Sequence, residues 1–251
     1  MPAGLLLFLK LFTAHLAGDY LVQSNRVARE KHRPAMLALH LLAHGALLAL
    51  VGLTEPASPR LWLALLGVLL AHAAIDAWTI RVANRGLGLL AIDQSLHLLS
   101  LLAGAMIVMP DLAGEALQAI GAASRRPGPW LLAGGALLAV PAGATVVSRT
   151  IQPFREALTD ESRERQSGLE RAGTWIGLLE RLVVFLAVLA RAELIIGFVI
   201  AAKAVLRLPE VRETHSRKLA EYYLVGSLAS LAWALLVAYL VRACVGFRPA
   251  S

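Results

Sequence analysis

Cysteine is almost missing from this chain. Cys244 is the only one in 251 residues, which excludes an internal disulfide and a cysteine-ligated zinc site. Charge is scarce as well. Asp, Glu, Lys and Arg make up 16% of the residues, where soluble domains carry about 25%. Acidic residues are fewer than basic ones, 17 against 24, which leaves a net charge of +7. An excess of that size can mark a nucleic-acid partner. Here the basic residues fall in short loops between apolar runs, the pattern of the positive-inside rule, so no nucleic acid is expected. A cleavable signal peptide is also not expected. The first apolar run has no basic leader, carries Lys10 within it, and has His15 and Asp19 where a cleavage motif would stand.

Apolar sequence fills the chain instead: 58% of it is hydrophobic, with a mean hydropathy of +0.66. The expected fold class is all-α, a polytopic membrane helix bundle with about eight transmembrane helices, seven being the alternative, and no soluble domain. The spans are 3–22, 35–53, 61–82, 87–109, 129–148, 174–190, 193–207 and 221–243. Pro34, Pro56, Pro59, Pro110, Pro127 and Pro129 punctuate the gaps, as helix breakers should. The stretch 174–207 is either one long tilted helix or two short ones joined near Arg191 and Glu193. Three parts follow: a four-helix metal-binding bundle over 1–110, an outside loop over 111–128, and a second helical half over 129–251. The second half includes a cytoplasmic segment, 149–172, whose mixed-charge portion reads as an amphipathic helix, a lid or a solvated linker.

Lys and Arg in short loops set the orientation. Arg26, Arg29, Lys31 and Arg33 assign the loop 23–34 to the cytoplasm, and Arg81 and Arg85 do the same for 81–86. Segments 149–172 and 203–218 are basic too. Placing both on one side needs an even number of crossings between them, which favours two helices over 174–207. Both termini are then expected outside.

Four pairs of metal-capable side chains share one spacing. His15 pairs with Asp19, His40 with His44, His72 with Asp76, and Asp93 with His97. Residues four apart lie on one face of a helix, one turn above each other. Ionisable residues inside a membrane helix are expensive and usually functional. Measured from the basic loops, the pairs stack into two layers in the cytoplasmic half of a bundle. The deeper layer is His15, His44, His72 and His97; the shallower is Asp19, His40, Asp76 and Asp93. Bundles build metal sites in this way from facing helices. Imidazole with carboxylate points to one or two divalent ions, zinc first, with iron or manganese as alternatives. Corresponding residues of the two hairpins are 57 and 53 positions apart (His15 to His72, His40 to Asp93), which suits a parallel repeat. Gln23 and Gln94 stand beside the site to orient ligands or to bond backbone. His32 and His215 lie in basic loops and take no role.

In the second half, Glu180, Arg181 and Lys203 lie within apolar sequence. A buried Arg and Lys suit an anionic substrate. The alternative is an internal ion pair such as Glu180 to Lys203, or a Lys203 that snorkels to the interface.

The strings HLAGDYLVQ…REKH, LALHLLAH, HAAID and IDQSLH resemble a family of uncharacterised bacterial multi-pass membrane proteins with HxxGDFxxQ, HxxxH, HxxxD and DQxxH motifs, a domain of unknown function. Tyr20 stands where that pattern has Phe. GTWIGLLERLVV, IIGFVIAAKAVLR and EYYLVGSLASL are also similar to its members. The resemblance implies a multi-pass protein of the bacterial cytoplasmic membrane, with Glu180, Arg181 and Lys203 in recurring motifs. It implies no activity. The His and Asp helices also resemble predicted membrane-bound metal-dependent hydrolases, without a matching motif.

The function expected is an intramembrane metal-dependent hydrolase acting on an anionic, phosphorylated or lipid-linked substrate, with membrane lipid as its surroundings. A metal-activated water would be the nucleophile, Asp76 or Asp93 the general base, and Arg181, Lys203 and Glu180 the substrate contacts. A divalent metal-ion transporter and a di-iron membrane oxidase are the alternatives, and polar pairs acting as bundle glue a third. The outer halves of the first four spans are almost wholly apolar, which counts against the transporter.

Overall fold

The computed structural model describes residues 3–82, 86–111, 114, 128–158, 170–214 and 217–244. Every regular element among them is a helix. In chain order these are α1 (Ala3–Ala17), which runs on into a π turn (Gly18–Val22), then α2 (Asn25–Glu30), α3 (Pro34–Leu53), α4 (Pro59–Thr79) and α5 (Leu87–Val108). There follow α6 (Pro129–Leu137), a second π turn (Leu138–Ala142), α7 (Gly143–Glu156), α8 (Glu170–Leu189), α9 (Leu194–Thr214) and α10 (Arg217–Cys244). Most of the expected outside loop 111–128, and residues 159–169 of the cytoplasmic segment, lie outside the described residues, as do Arg85 and His215.

Local chemistry sets the helix starts. Pro34 and Pro59 each open a helix, where the missing N–H costs nothing and the fixed φ is already helical. Ser58 caps α4 by accepting from the Leu61 N–H at 3.1 Å, and Ser24 caps α2 by accepting from Val27 at 3.3 Å.

The chain forms two units, Met1–Leu137 and Leu138–Ala243. In the first, α1, α3, α4 and α5 bury Leu7, Leu11, Leu48, Leu61, Leu65, Val68 and Leu101 between them. α6 docks on α1, where Thr13 Oγ1 donates to the Trp130 carbonyl at 3.1 Å. A Cβ on Gly134 would come within 3.0 Å of Thr13 Oγ1, so glycine permits the close approach. Lys10 is buried in α1 and donates to Glu55 Oε1 at 2.5 Å and Thr54 Oγ1 at 2.9 Å. At the level of the histidines these helices are apolar outside and polar inside. Leu42 is 70% exposed and Leu99 60%, while His40 and His97 on the same helices are 2% and 1% exposed. That inversion suits lipid as the solvent. Among the described residues, six helices are long and apolar enough to span a membrane: Ala3–Val22, Pro34–Leu53, Pro59–Thr79, Leu87–Val108, Pro129–Glu156 and Lys218–Cys244.

In the second unit the stretch 174–207 is two helices. α8 ends at Leu189, Arg191 adopts φ 57°, and α9 begins at Leu194. The Arg191 N–H bonds the Val188 carbonyl and the Ala192 N–H bonds that of Ala187. This is a Schellman turn with arginine where glycine is usual. Arg242 Nη1 holds the turn by donating to Glu193 Oε1 at 2.5 Å and to the Val188 carbonyl at 3.3 Å. The Arg242 hydrogen bond keeps the Glu193 carboxyl below its ordinary range. The helix expected over 129–148 continues to Glu156, and Pro141 lies within its π turn.

Candidate metal centre

The π turn at the end of α1 carries Asp19. Such turns shift side chains relative to a regular helix and recur at functional sites. Gly18 precedes it for a steric reason: a Cβ there would lie 2.4 Å from Cε1 and Nε2 of His44. His44 can therefore hold this position only while residue 18 has no side chain.

Five histidines from four helices form one buried cluster. Ring centroids are 3.9 Å apart for His44 and His72, 4.4 Å for His72 and His97, 4.5 Å for His40 and His44, and 4.8 Å for His15 and His97. Among the four deeper histidines, His15 and His72 each meet the other three rings, as the helical spacing anticipates. Three of the four shallower residues join them. His40 Nε2 lies 3.4 Å from Asp19 Oδ1, 3.3 Å from Asp76 Oδ2 and 3.1 Å from His72 Nε2. His44 Nε2 lies 3.2 Å from Asp19 Oδ1, and His72 Nε2 lies 3.4 Å from Asp76 Oδ2.

Asp93 is not brought into this set. Its Oδ2 is 3.8 Å from Nδ1 of His97, on the far side of that ring, and it accepts from Gln94 Nε2 at 2.9 Å. The Asp93 backbone carbonyl lies 2.9 Å from the same Nδ1. A carbonyl can only accept, so Nδ1 carries the proton and Nε2 of the neutral ring has the lone pair. That Nε2 is buried without a hydrogen-bond partner, and so are His15 Nε2 and His40 Nδ1.

Lys31 is the residue that sequence reasoning missed. It was counted only as a loop charge, yet its ammonium sits 2.7 Å from Asp76 Oδ2, with the side chain 16% exposed. The signal was its place in the REKH string of the family resemblance. One turn deeper than the histidines, Leu11, Leu48, Val68 and Leu101 form a continuous apolar layer, each four residues from His15, His44, His72 and His97 respectively. Hydrocarbon therefore floors the cluster on one side, and Asp19 and Asp76, the latter paired with Lys31, stand one turn the other way.

Residues 7–119 match the family DUF3307, "Protein of unknown function". The DUF3307 region contains all four His/Asp pairs together with Lys31, and Glu180, Arg181 and Lys203 lie beyond it. No curated protein and no solved structure matches the chain.

Among the described residues, two groups in the DUF3307 region could hold a metal ion: Asp19 with His40, His44 and His72, and His72 with Asp76 and His97. Three of the six edges of the first group have the length such a site needs. Ligands on a tetrahedral ion with bonds of about 2.0–2.1 Å stand about 3.3 Å from each other. The edges Asp19–His44, Asp19–His40 and His40–His72 measure 3.2, 3.4 and 3.1 Å.

In the second unit the expected substrate contacts are occupied by structural partners. Lys203 Nζ donates to Glu180 Oε2 at 2.5 Å, the internal ion pair that the sequence allowed as the alternative. Arg181 is buried; its Nε donates to the Val140 carbonyl and its Nη1 to Ser230 Oγ, both at 3.0 Å. Trp233 Nε1 donates to the Leu138 carbonyl at 2.9 Å. Arg181 and Trp233 thus satisfy backbone carbonyls around the Pro141 break. All three candidates border a largely apolar cavity of about 390 Å³ between α8, α9 and α10.

Proposed function

We propose that this chain is an intramembrane metal-dependent hydrolase of an anionic, phosphorylated or lipid-linked substrate. One observation carries the reading: Asp19 Oδ1 and the Nε2 atoms of His40, His44 and His72 converge at ligand-to-ligand distances, buried inside apolar helices. Such a set is costly in hydrocarbon without a cation to organise it. The all N/O donor set suits zinc, with iron or manganese next. A divalent ion there supplies Lewis acidity and an acidified water.

The chain's own residues support the rest. Asp76 faces the cluster and is paired with Lys31, which suits a ligand or an orienting group. Asp93, with its side chain 17% exposed and outside the cluster, suits the general base. Lys31 reaches the cluster at Asp76, and the segment it belongs to carries Arg26, Arg29 and Arg33 against the acid Glu30, which favours an anionic substrate. The same charges favour a cytoplasmic mouth in a bacterial inner membrane. The apolar layer under the histidines speaks against an ion path through the bundle.

The test is elemental analysis of the purified chain and of His44→Ala, followed by hydrolysis of phosphorylated lipids before and after chelation. Stoichiometric metal in the wild type, reduced in His44→Ala, with chelator-sensitive hydrolysis, is expected. Wild-type protein without metal overturns the reading.

A further inference from the structure

Asp19 faces two sets of ligands, one with each carboxylate oxygen. Oδ1 is 3.2 Å from His44 Nε2 and 3.4 Å from His40 Nε2. Oδ2 is 3.5 Å from His15 Nε2 and makes no hydrogen bond to it. The second set has its own free donors. His15 Nε2 and His97 Nε2 are buried without partners, on side chains only 4% and 1% exposed. The proton on His97 Nδ1 fixes its Nε2 as a lone pair. The two rings are stacked with centroids 4.8 Å apart.

His72 belongs to both metal-capable groups. A neutral imidazole has one lone pair to give, so His72 serves one ion at a time. Its Nε2 is 3.1 Å from that of His40 and 3.4 Å from Asp76 Oδ2; it completes four donors in the first group, while in the second His15, stacked on His97 and 3.5 Å from Asp19 Oδ2, stands to take its place. The donors left over are His15, His97, Asp76 and the second oxygen of Asp19. Below them lies the layer of Leu11, Leu48, Val68 and Leu101, which offers the free ring nitrogens no polar partner.

We infer that the cluster is a two-ion centre bridged by Asp19. One ion is held by Asp19 Oδ1, His40, His44 and His72, and a second divalent ion by Asp19 Oδ2, His15, His97 and Asp76. This rests on the metal-dependent reading above and deepens it. Two divalent cations exceed the charge of Asp19 and Asp76, so the loaded centre is net positive. Paired ions of this kind clamp both the attacking and the leaving oxygen of a displacement. The substrate class that matches is a phosphate ester or anhydride whose oxygens face both ions, with Lys31 beside them.

The test uses the full chain in detergent, stripped with chelator and reloaded with Mn²⁺ alone. Metal per chain is counted for the wild type, His97→Ala and His15→Ala. Two equivalents in the wild type and one in each variant are expected. One equivalent in the wild type, unchanged in His97→Ala, overturns the second ion and leaves the metal-dependent function standing; no bound metal overturns both. Should the variants fail to fold, electron paramagnetic resonance of the wild type at full loading decides. An exchange-coupled pair is expected, and the spectrum of isolated ions alone would refute the bridge.

Discussion

The Cβ that Gly18 lacks would stand 2.4 Å from the Nε2 of His44, so the backbone of the π turn after α1 is the wall on which that ring rests. Alanine is the better helix former by about 1 kcal/mol. At this position it displaces a candidate ligand instead. Gly18→Ala is expected to lower metal affinity by about 10–100-fold, the usual effect of disturbing a ligand's support. Competition with a chelator measures it, and unchanged affinity would contradict the contact.

Lys31 and any bound ion both compensate Asp76, and this predicts a conditional stability effect. Lys31→Met should cost little in metal-loaded protein. After chelation the Asp76 carboxylate, 5% exposed, is left without its cation, and breaking such a pair costs about 3–5 kcal/mol. Denaturant unfolding with and without chelator is the measurement. An equal loss in both states would mean that no ion shares Asp76.

Asp93 lies behind His97 rather than among the ligands. The backbone carbonyl of residue 93 sets the tautomer of His97, and Asp93→Asn keeps that carbonyl. The variant should retain the wild-type metal count and lose hydrolysis. Loss of one ion per chain would instead make Asp93 a ligand.

Lys10 and Glu55 form a buried pair in the apolar half of the first unit, with side chains 10% and 13% exposed. Lys10→Met should destabilise by about 3–5 kcal/mol, because it strands the Glu55 carboxylate. Lys10→Met with Glu55→Gln should recover most of the loss, and metal content should not change in either. A single variant as stable as the wild type would show the pair to be solvated.

Arg181 predicts the opposite division of effects. Arg181→Lys cannot reach the Val140 carbonyl and Ser230 together. It should destabilise by about 1.5–3 kcal/mol, the worth of a charged hydrogen bond, with metal binding intact. Ser230→Ala should cost less. Lost substrate affinity in Arg181→Lys at unchanged stability would return Arg181 to the substrate role first expected of it.

Much of the first unit was legible in the sequence because helical periodicity is a local property. Four spacings of four residues set each His/Asp pair on one face, and the basic loops set their depths. That was enough to bring His15, His44, His72 and His97 into one layer and to place Asp19, His40 and Asp76 above them. The same reasoning put Asp93 in the upper layer but could not tell which side of His97 it faces. It counted Lys31 as a loop charge because nothing local records that the chain after α2 dips toward Asp76. In the second unit, apolarity alone left 174–207 open between one helix and two. The break needs the positive φ of Arg191 and the clasp of Arg242, which is more than 50 residues away in sequence.

The sequence by itself determined the apolar exterior, the positions of the candidate spans and the clustering of the candidate ligands at one level of the helices. Each depends on spacing along a single helix and on the cost of charge in hydrocarbon. Only the tertiary structure decided which ring nitrogens are free, that Asp19 turns Oδ1 to His40 and His44 and Oδ2 to His15, and that Arg181 bonds the Val140 carbonyl beside the Pro141 break. Those depend on the direction of atoms across helices, which a linear spacing does not encode.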